Sequence, residues 1–209
     1  MRPDLDRELE LFSGGHRYVA GIDEAGRGAL AGPVVAAAVV LPLDRFDLAR
    51  GLSEVRDSKQ LTPAARDRCD EQVRELAVAI GVGEASAKEV DEQGLLPATR
   101  AAMRRAVEAL DPAPSCLLID HIRIPELELQ QDAITRGDQS VLSIAAASIV
   151  AKVWRDRWMA ELDARYAGYG FDRHKGYGTA QHRQALTRLG PCPEHRRSYA
   201  PVQRALSLA

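Results

Sequence analysis

The sequence predicts an α/β fold, a mixed β-sheet flanked by helices, and three observations carry that expectation. Residues 18–22 and 33–42 are apolar runs joined by a short link containing Gly26, Gly28 and Gly32, which suits an antiparallel pair. Strand-like and helix-like segments alternate after them. Residues 142–166 then read as one long helix.

The first strand, Tyr18-Val19-Ala20-Gly21-Ile22, carries no charge and is expected to be buried, with Asp23 and Glu24 at its solvent-facing end. The second has Pro33 and Pro42 at its edges, where proline costs no ladder bond. Thr62-Pro63 supplies a cap and a first-turn proline for a helix to about residue 79, and a strand follows near residues 80–86. Residues 87–92 and 97–110 have helical character, the second with Ala102, Met103, Ala106, Val107 and Leu110 at core-facing spacing. Asp111-Pro112-Ala113-Pro114 ends it, and residues 116–119 form a short strand leading to Asp120. A mixed segment with room for short strands precedes Asp138. The long helix begins with small residues, Ala145, Ala146, Ala147, Ser148 and Ala151, which suit close packing on a sheet. Residues 168–178 are expected to be a loop, and Thr179 caps a helix to about residue 189.

A chain of 209 residues, 45% hydrophobic and 28% charged, suits one globular domain. The N-terminal fifteen residues have no uninterrupted apolar segment, and the apolar run at residues 29–43 is broken by Gly32, Pro33 and Pro42. Neither a secretory signal nor a membrane span is expected, and a cytoplasmic location follows as the default. Three unclustered cysteines, Cys69, Cys116 and Cys192, argue for a reducing compartment. Cys192 and His195 have half of a zinc-like spacing, with no second pair nearby. Charge is polarised along the chain. Residues 152–209 hold 11 Lys and Arg against 5 Asp and Glu, a net of +6, while residues 1–151 hold 17 against 25, a net of −8. An acidic part suited to divalent cations joined to a basic part suited to phosphates fits a metal-dependent enzyme acting on nucleic acid.

Four carboxylates stand out: Asp23, Glu24, Asp120 and Asp138. Asp23 and Asp120 each follow an apolar strand, so adjacent strands would bring both to one sheet edge, where Asp138 can join them. Such a cluster repels itself and raises its own pKa values unless cations are bound, and hard oxygen ligands favour Mg2+ or Mn2+. Two such ions would activate water and steady the leaving 3′-oxygen of a phosphodiester. Neighbours on a regular strand face opposite ways, so Asp23 and Glu24 can both ligate only at a bend or at the strand end.

The order of motifs resembles that of the type 2 ribonucleases H, the ribonuclease HII family. Asp23-Glu24-Ala25-Gly26-Arg27-Gly28 after an apolar strand is similar to its signature. The resemblance continues at Asp57-Ser58-Lys59-Gln60-Leu61, Leu117-Leu118-Ile119-Asp120, Gly137-Asp138 and the segment from Ser143 to Val153. It ends with His174-Lys175-Gly176-Tyr177-Gly178-Thr179 and His195-Arg196-Arg197-Ser198-Tyr199, so it spans residues 18–202. It implies a single ribonuclease H type 2 domain over residues 1–209. Within it lie a ribonuclease H-like core at about residues 17–166 and a substrate-contacting helical part at about residues 167–209.

The resemblance also implies an endonuclease that cuts the RNA strand of RNA–DNA hybrids and incises 5′ to a single ribonucleotide in duplex DNA, serving ribonucleotide removal. The carboxylates at Asp23, Glu24, Asp120 and Asp138 match its metal ligands and catalytic residues. Gly26, Arg27 and Gly28 match its ribose-recognition motif, and Tyr177 matches the tyrosine that packs on the next sugar. Lys59, Lys152 and Lys175 are assigned to phosphate contacts. A monomer is expected, and residues 201–209 show no peptide for binding a sliding clamp. Two positions depart from the family pattern: His121 stands where glycine is common, and Arg136 where lysine is common. Ribonuclease HIII, with its extra N-terminal domain and different glycine motif, fits less well, since about seventeen residues precede the first strand. A silent binding module on the same fold would be expected to lack one of the four acids.

Overall fold

In the computed structural model, residues 2–207 are described. They run in the order α1 (Asp6–Ser13), β1 (Val19–Ala25), β2 (Val34–Val40), α2 (Leu48–Gly51), α3 (Pro63–Leu76), β3 (Ala79–Ala85), α4 (Ala87–Gln93) and α5 (Leu95–Glu108). There follow β4 (Cys116–Asp120), β5 (Gln130–Ile134), α6 (Leu142–Arg165), α7 (Phe171–His174), α8 (Ala180–Leu189) and α9 (Ala200–Leu206). The five strands form one sheet in the order β3-β2-β1-β4-β5. The β1–β2 and β2–β3 pairs are antiparallel, and β1–β4 and β4–β5 are parallel. This is the mixed sheet expected, with β1 at its centre.

Strand β2, Val-Val-Ala-Ala-Ala-Val-Val, is buried throughout because both faces of the sheet are covered. Its even residues Ala36, Ala38 and Val40 pack with Ala98, Ala102, Met103 and Ala106 of α5. Its odd residues Ala37 and Val39 pack with Ala145, Ala146, Ile149 and Val150 of α6 and with Val73 of α3. The alternation of a strand thus divides one sequence between two cores. The small residues of α6 let it lie against β1 at Gly21, where a Cβ would fall 2.2 Å from the Ser143 carbonyl carbon.

Helix α6 lacks a capping side chain of its own at Val141. Buried Glu8 of α1 takes that role, its Oε1 accepting from the Ser143 backbone N–H at 2.7 Å. A carboxylate at a helix N-terminus satisfies a free amide and complements the helix dipole. Neither α1 nor the short helices α2, α7 and α9 is evident in the sequence. Helix α7 interrupts the loop expected at residues 168–178. Helix α5 starts two residues before Pro97, which therefore sits in the first turn, where a missing N–H costs no intrahelical bond. The polar edge strand β5 occupies the mixed segment before Asp138. Most of the C-terminal tail is α9; residues 208–209 lie outside the described residues. Among the described residues, no helix is long and apolar enough to cross a membrane.

Candidate active site

The carboxylates gather at the C-terminal edge of the two central parallel strands. Ile22 pairs with Ile119, so Asp23 and Asp120 occupy the next register step. Asp120 is oriented by the Gly137 N–H, which donates to its Oδ1 at 2.8 Å. Asp138 lies on the 3-10 turn Gly137–Gln139 that leads into α6. The Asp23 side chain lies on the α6 side of the sheet near Ser148, and its Oδ1 accepts from the Glu24 backbone N–H at 2.7 Å. Burial, followed by the charges of Glu24 and Asp120, holds the Asp23 carboxyl well above the usual carboxylate range. Burial likewise raises Glu24 against the opposing pull of Arg27, whose guanidinium stands 3.1 Å from Glu24 Oε1. Asp138 is raised by burial, opposed by Lys59, with the ion pair at 3.5 Å.

This donor set fits a hard divalent cation. It is all oxygen, and the buried Glu24 Oε2 has no hydrogen-bond partner among the described residues. Among those residues no three His, Cys, Asp or Glu side chains close into a metal cage, so the carboxylates converge without being drawn to ligand distance. The same holds at Cys192 and His195, where no further ligand joins the half zinc-like spacing.

Beside the carboxylates a cleft is bordered by Glu24, Gly26, Arg27, Gly28, Lys59, Lys152 and Tyr177. Ser58 and Ser148 line it too, and their hydroxyls meet at 3.0 Å, tying the 58–60 turn to α6. Asp57 shapes that turn by accepting from the Lys59 N–H at 2.9 Å. Burial opposes the charge on Lys59, but Asp138, Asp23 and Asp57 outweigh it and hold the ammonium above its usual value. Lys152 is paired with Asp156 at 2.6 Å, while burial lowers its pKa. Lys175 is not part of the cleft lining; its ammonium donates to the Asp156 carbonyl at 3.2 Å.

The loop at Gly26–Gly28 is held from beneath by a fully buried arginine. Arg196 donates to the carbonyls of Gly26 at 2.8 Å, Arg27 at 2.7 Å and Gly32 at 2.9 Å. Because a trans peptide directs its C=O and N–H oppositely, the Arg27 and Gly28 amides are turned away from Arg196. Gly26 has φ of 91°, and a Cβ there would meet the Arg155 guanidinium at 2.0 Å from Nε. Arg155, also fully buried, binds the carbonyls of Ala31, Pro33 and Lys175. Its guanidinium carbon lies 5.5 Å from the Tyr177 ring centroid, and Lys152 Nζ lies 5.9 Å away. Tyr177 is 37% exposed, enough to offer a face to a ligand.

The segment after the glycine loop is pinned on both sides. Ala29 forms an isolated β-bridge with Tyr177 and Ala31 one with His195, so residues 29–31 are tied to both C-terminal motif segments. Arg155, Arg196, Ser58 and Ser148 carry no individual functional signal in the sequence beyond membership in motif blocks or in a basic tract. Their roles depend on partners up to 170 residues away. His121 and Arg136 have φ of 62° and 58°, the left-handed region that favours glycine, and His121 is exposed.

Comparison with known proteins gives a consistent placement. The family model for ribonuclease HII matches residues 20–202. The ribonuclease HII of Geobacillus kaustophilus (strain HTA426) is 54% identical over 199 residues, 95% of this chain and 74% of that one. That of Chloroflexus aurantiacus (strain ATCC 29364 / DSM 637 / Y-400-fl) is 52% identical over 206 residues, 99% and 97% of the two chains. The solved ribonuclease H2 of Pyrococcus horikoshii OT3 aligns with a TM-score of 0.77 at 26% identity, covering 91% of this chain and 97% of that one. The match runs through the sheet, the carboxylate edge and the C-terminal motif segments, and the chain belongs to the ribonuclease HII family, a hydrolase of the ribonuclease H class.

Proposed function

We propose that this enzyme cuts the RNA strand of RNA–DNA hybrids and also incises on the 5′ side of a single ribonucleotide in duplex DNA, leaving a 5′-phosphate and a 3′-hydroxyl. The observation that carries the reading is the adjacency of two unlike features. An oxygen-only carboxylate edge, Asp23, Glu24, Asp120 and Asp138, lies beside a cleft bordered by the Gly26–Gly28 backbone and an aromatic face, Tyr177. A ribonuclease must detect the 2′-hydroxyl, the one group that marks a ribonucleotide in otherwise like backbone.

The four carboxylates would hold Mg2+ or Mn2+, and the chemistry such ions supply is activation of water and stabilisation of the leaving 3′-oxygen. Glu24 brings a buried oxygen with no other partner among the described residues to that site, and Lys59 offsets the negative charge beside Asp138. The outward amides of Arg27 and Gly28 offer donors to the ribose without a bulky side chain at Gly28 to obstruct it. Tyr177 packs on the sugar that follows, and Lys59 and Lys152 meet phosphates, with Lys175 a more distant contributor. The basic residues of the C-terminal part extend the phosphate-binding surface.

The test is a labelled DNA duplex carrying one ribonucleotide, incubated with the protein and Mg2+ or Mn2+. A single cut on the 5′ side of the ribonucleotide, none in an all-deoxy duplex, and cleavage of a hybrid's RNA strand are expected. Cleavage of the all-deoxy duplex at a comparable rate would overturn the reading.

A further inference from the structure

We infer that His182 is a positioning residue for Tyr177, held in a single tautomer by His195, so that two buried histidines set where the aromatic face meets the substrate. The inference rests on the reading of Tyr177 as the residue that packs beside the ribonucleotide.

The hydrogen bonds leave one assignment of protons for neutral rings. The Cys192 backbone N–H donates to His195 Nδ1 at 3.0 Å, so the proton of His195 is on Nε2. The Tyr177 carbonyl can only accept, so His182 donates to it from Nδ1 at 3.0 Å, leaving its Nε2 as an acceptor. The two Nε2 atoms face each other at 3.0 Å, and the donor on His195 meets the acceptor on His182. His174 is fixed in the same way: Gly176 N–H donates to its Nδ1, and its Nε2 donates to the Tyr169 carbonyl at 2.8 Å. The His174 ring stacks on that of His182 at 4.4 Å. His182 and His195 are buried, and among the described residues no hydrogen bond joins either ring to Asp23, Glu24, Asp120 or Asp138.

The consequence falls on one peptide unit. His182 grips the carbonyl of Tyr177, whose ring borders the cleft while its backbone bridges to Ala29 beside the glycine loop. A shift of that carbonyl moves the ring relative to the ribose, and misplacement of about 1 Å costs up to ~10²-fold in rate.

The test is single-turnover cleavage, in Mg2+, of a one-ribonucleotide duplex and of a continuous RNA–DNA hybrid, with thermal melting of each variant. His182→Asn places an amide donor where Nδ1 was and is expected to stay within a few-fold of wild type. His182→Gln places its amide where Nε2 was and loses the donor to Tyr177. It is expected to cut the one-ribonucleotide duplex roughly tenfold more slowly or worse, with a smaller loss on the hybrid. Adding His182→Gln to Tyr177→Ala should cost little more than Tyr177→Ala alone, because both act through one side chain. Should His182→Gln lose its cooperative melting transition, His195→Asn replaces it. That change keeps the acceptor for Cys192, removes only the donor to His182, and is expected to lower the rate on the one-ribonucleotide duplex in the same direction. A slow Tyr177→Ala beside an unimpaired His182→Gln, or fully additive losses, would overturn the positioning role alone. Wild-type speed in Tyr177→Ala would overturn the reading beneath it as well.

Discussion

Asp23 and Asp120 stand side by side on adjacent parallel strands, one register step past the Ile22–Ile119 pair, and the charge of Asp120 adds to the burial that raises the Asp23 carboxyl. Two carboxylates so placed are unfavourable to the empty fold and useful to a cation. Asp23→Asn and Asp120→Asn are therefore expected to remove at least about a hundredfold of Mg2+-supported cleavage, because a lost ligand disables the ion's role. Without metal, Asp23→Asn should melt at or above the wild-type temperature, since the buried like-charge repulsion is gone. Near-normal turnover in both variants would remove these residues from the metal site.

Gly21 is expected to tolerate no side chain. A Cβ at this position would meet backbone atoms of Ser143, which cannot rotate aside, so Gly21→Ala must lift α6 from β1. A loss of roughly 1–3 kcal/mol is expected from such overpacking, measured by urea denaturation. Activity should fall with it, because Ser148 and Asp138 move with α6 relative to Asp23. An unchanged denaturation midpoint would show that the helix has room to yield.

These two predictions differ in how much of their basis is legible in the sequence. Asp23 and Asp120 are evident because each ends an apolar strand, and the hairpin, α3, α5, α6 and α8 follow from periodicity and caps. Gly21 reads as an ordinary strand glycine until α6 is laid over it. Glu8 lies 135 residues from the amide it caps, and Arg196 lies 170 from Gly26, so no local pattern can reveal either role. The polar segment Gln130–Ile134 pairs only as an edge strand, and its sequence lacks the apolar alternation that marks a buried one.

Stability should depend on the histidine pair between pH 7 and pH 4. Burial, with further contributions from neighbouring imidazoles, pushes both His182 and His195 down to about 4 from 6.5. The unfolded chain binds protons first as pH falls, so the stability from keeping these rings neutral is complete above about 6.5 and is lost toward 4. The raised carboxylates act in the opposite sense, so the comparison is with a His182→Asn, His195→Asn double variant in metal-free buffer. The wild type's advantage should shrink by up to about 3 kcal/mol for each ring across that window. A constant difference would mean that the rings do not titrate on unfolding.

Binding to duplex should weaken as salt rises, since the +6 of residues 152–209 exchanges counterions with the phosphate backbone. The measurement is the dissociation constant of a catalytically disabled Asp23→Asn variant between about 50 and 200 mM salt. A flat profile would argue against a basic contact surface.

The bridges that tie residues 29–31 to Tyr177 and His195 join the earliest motif in the sequence to the latest ones. All four carboxylates leave the ribosome before His174, Tyr177, His195 or Arg196 does. The glycine loop, which follows the first two acids at once, thus waits for its buried arginine and its bridge partners from residues 174–196. On the reading proposed above, selectivity for ribonucleotides rests on contacts that residues 174–196 make across more than 140 positions back to the glycine loop, so it depends on the least local pairings in the fold.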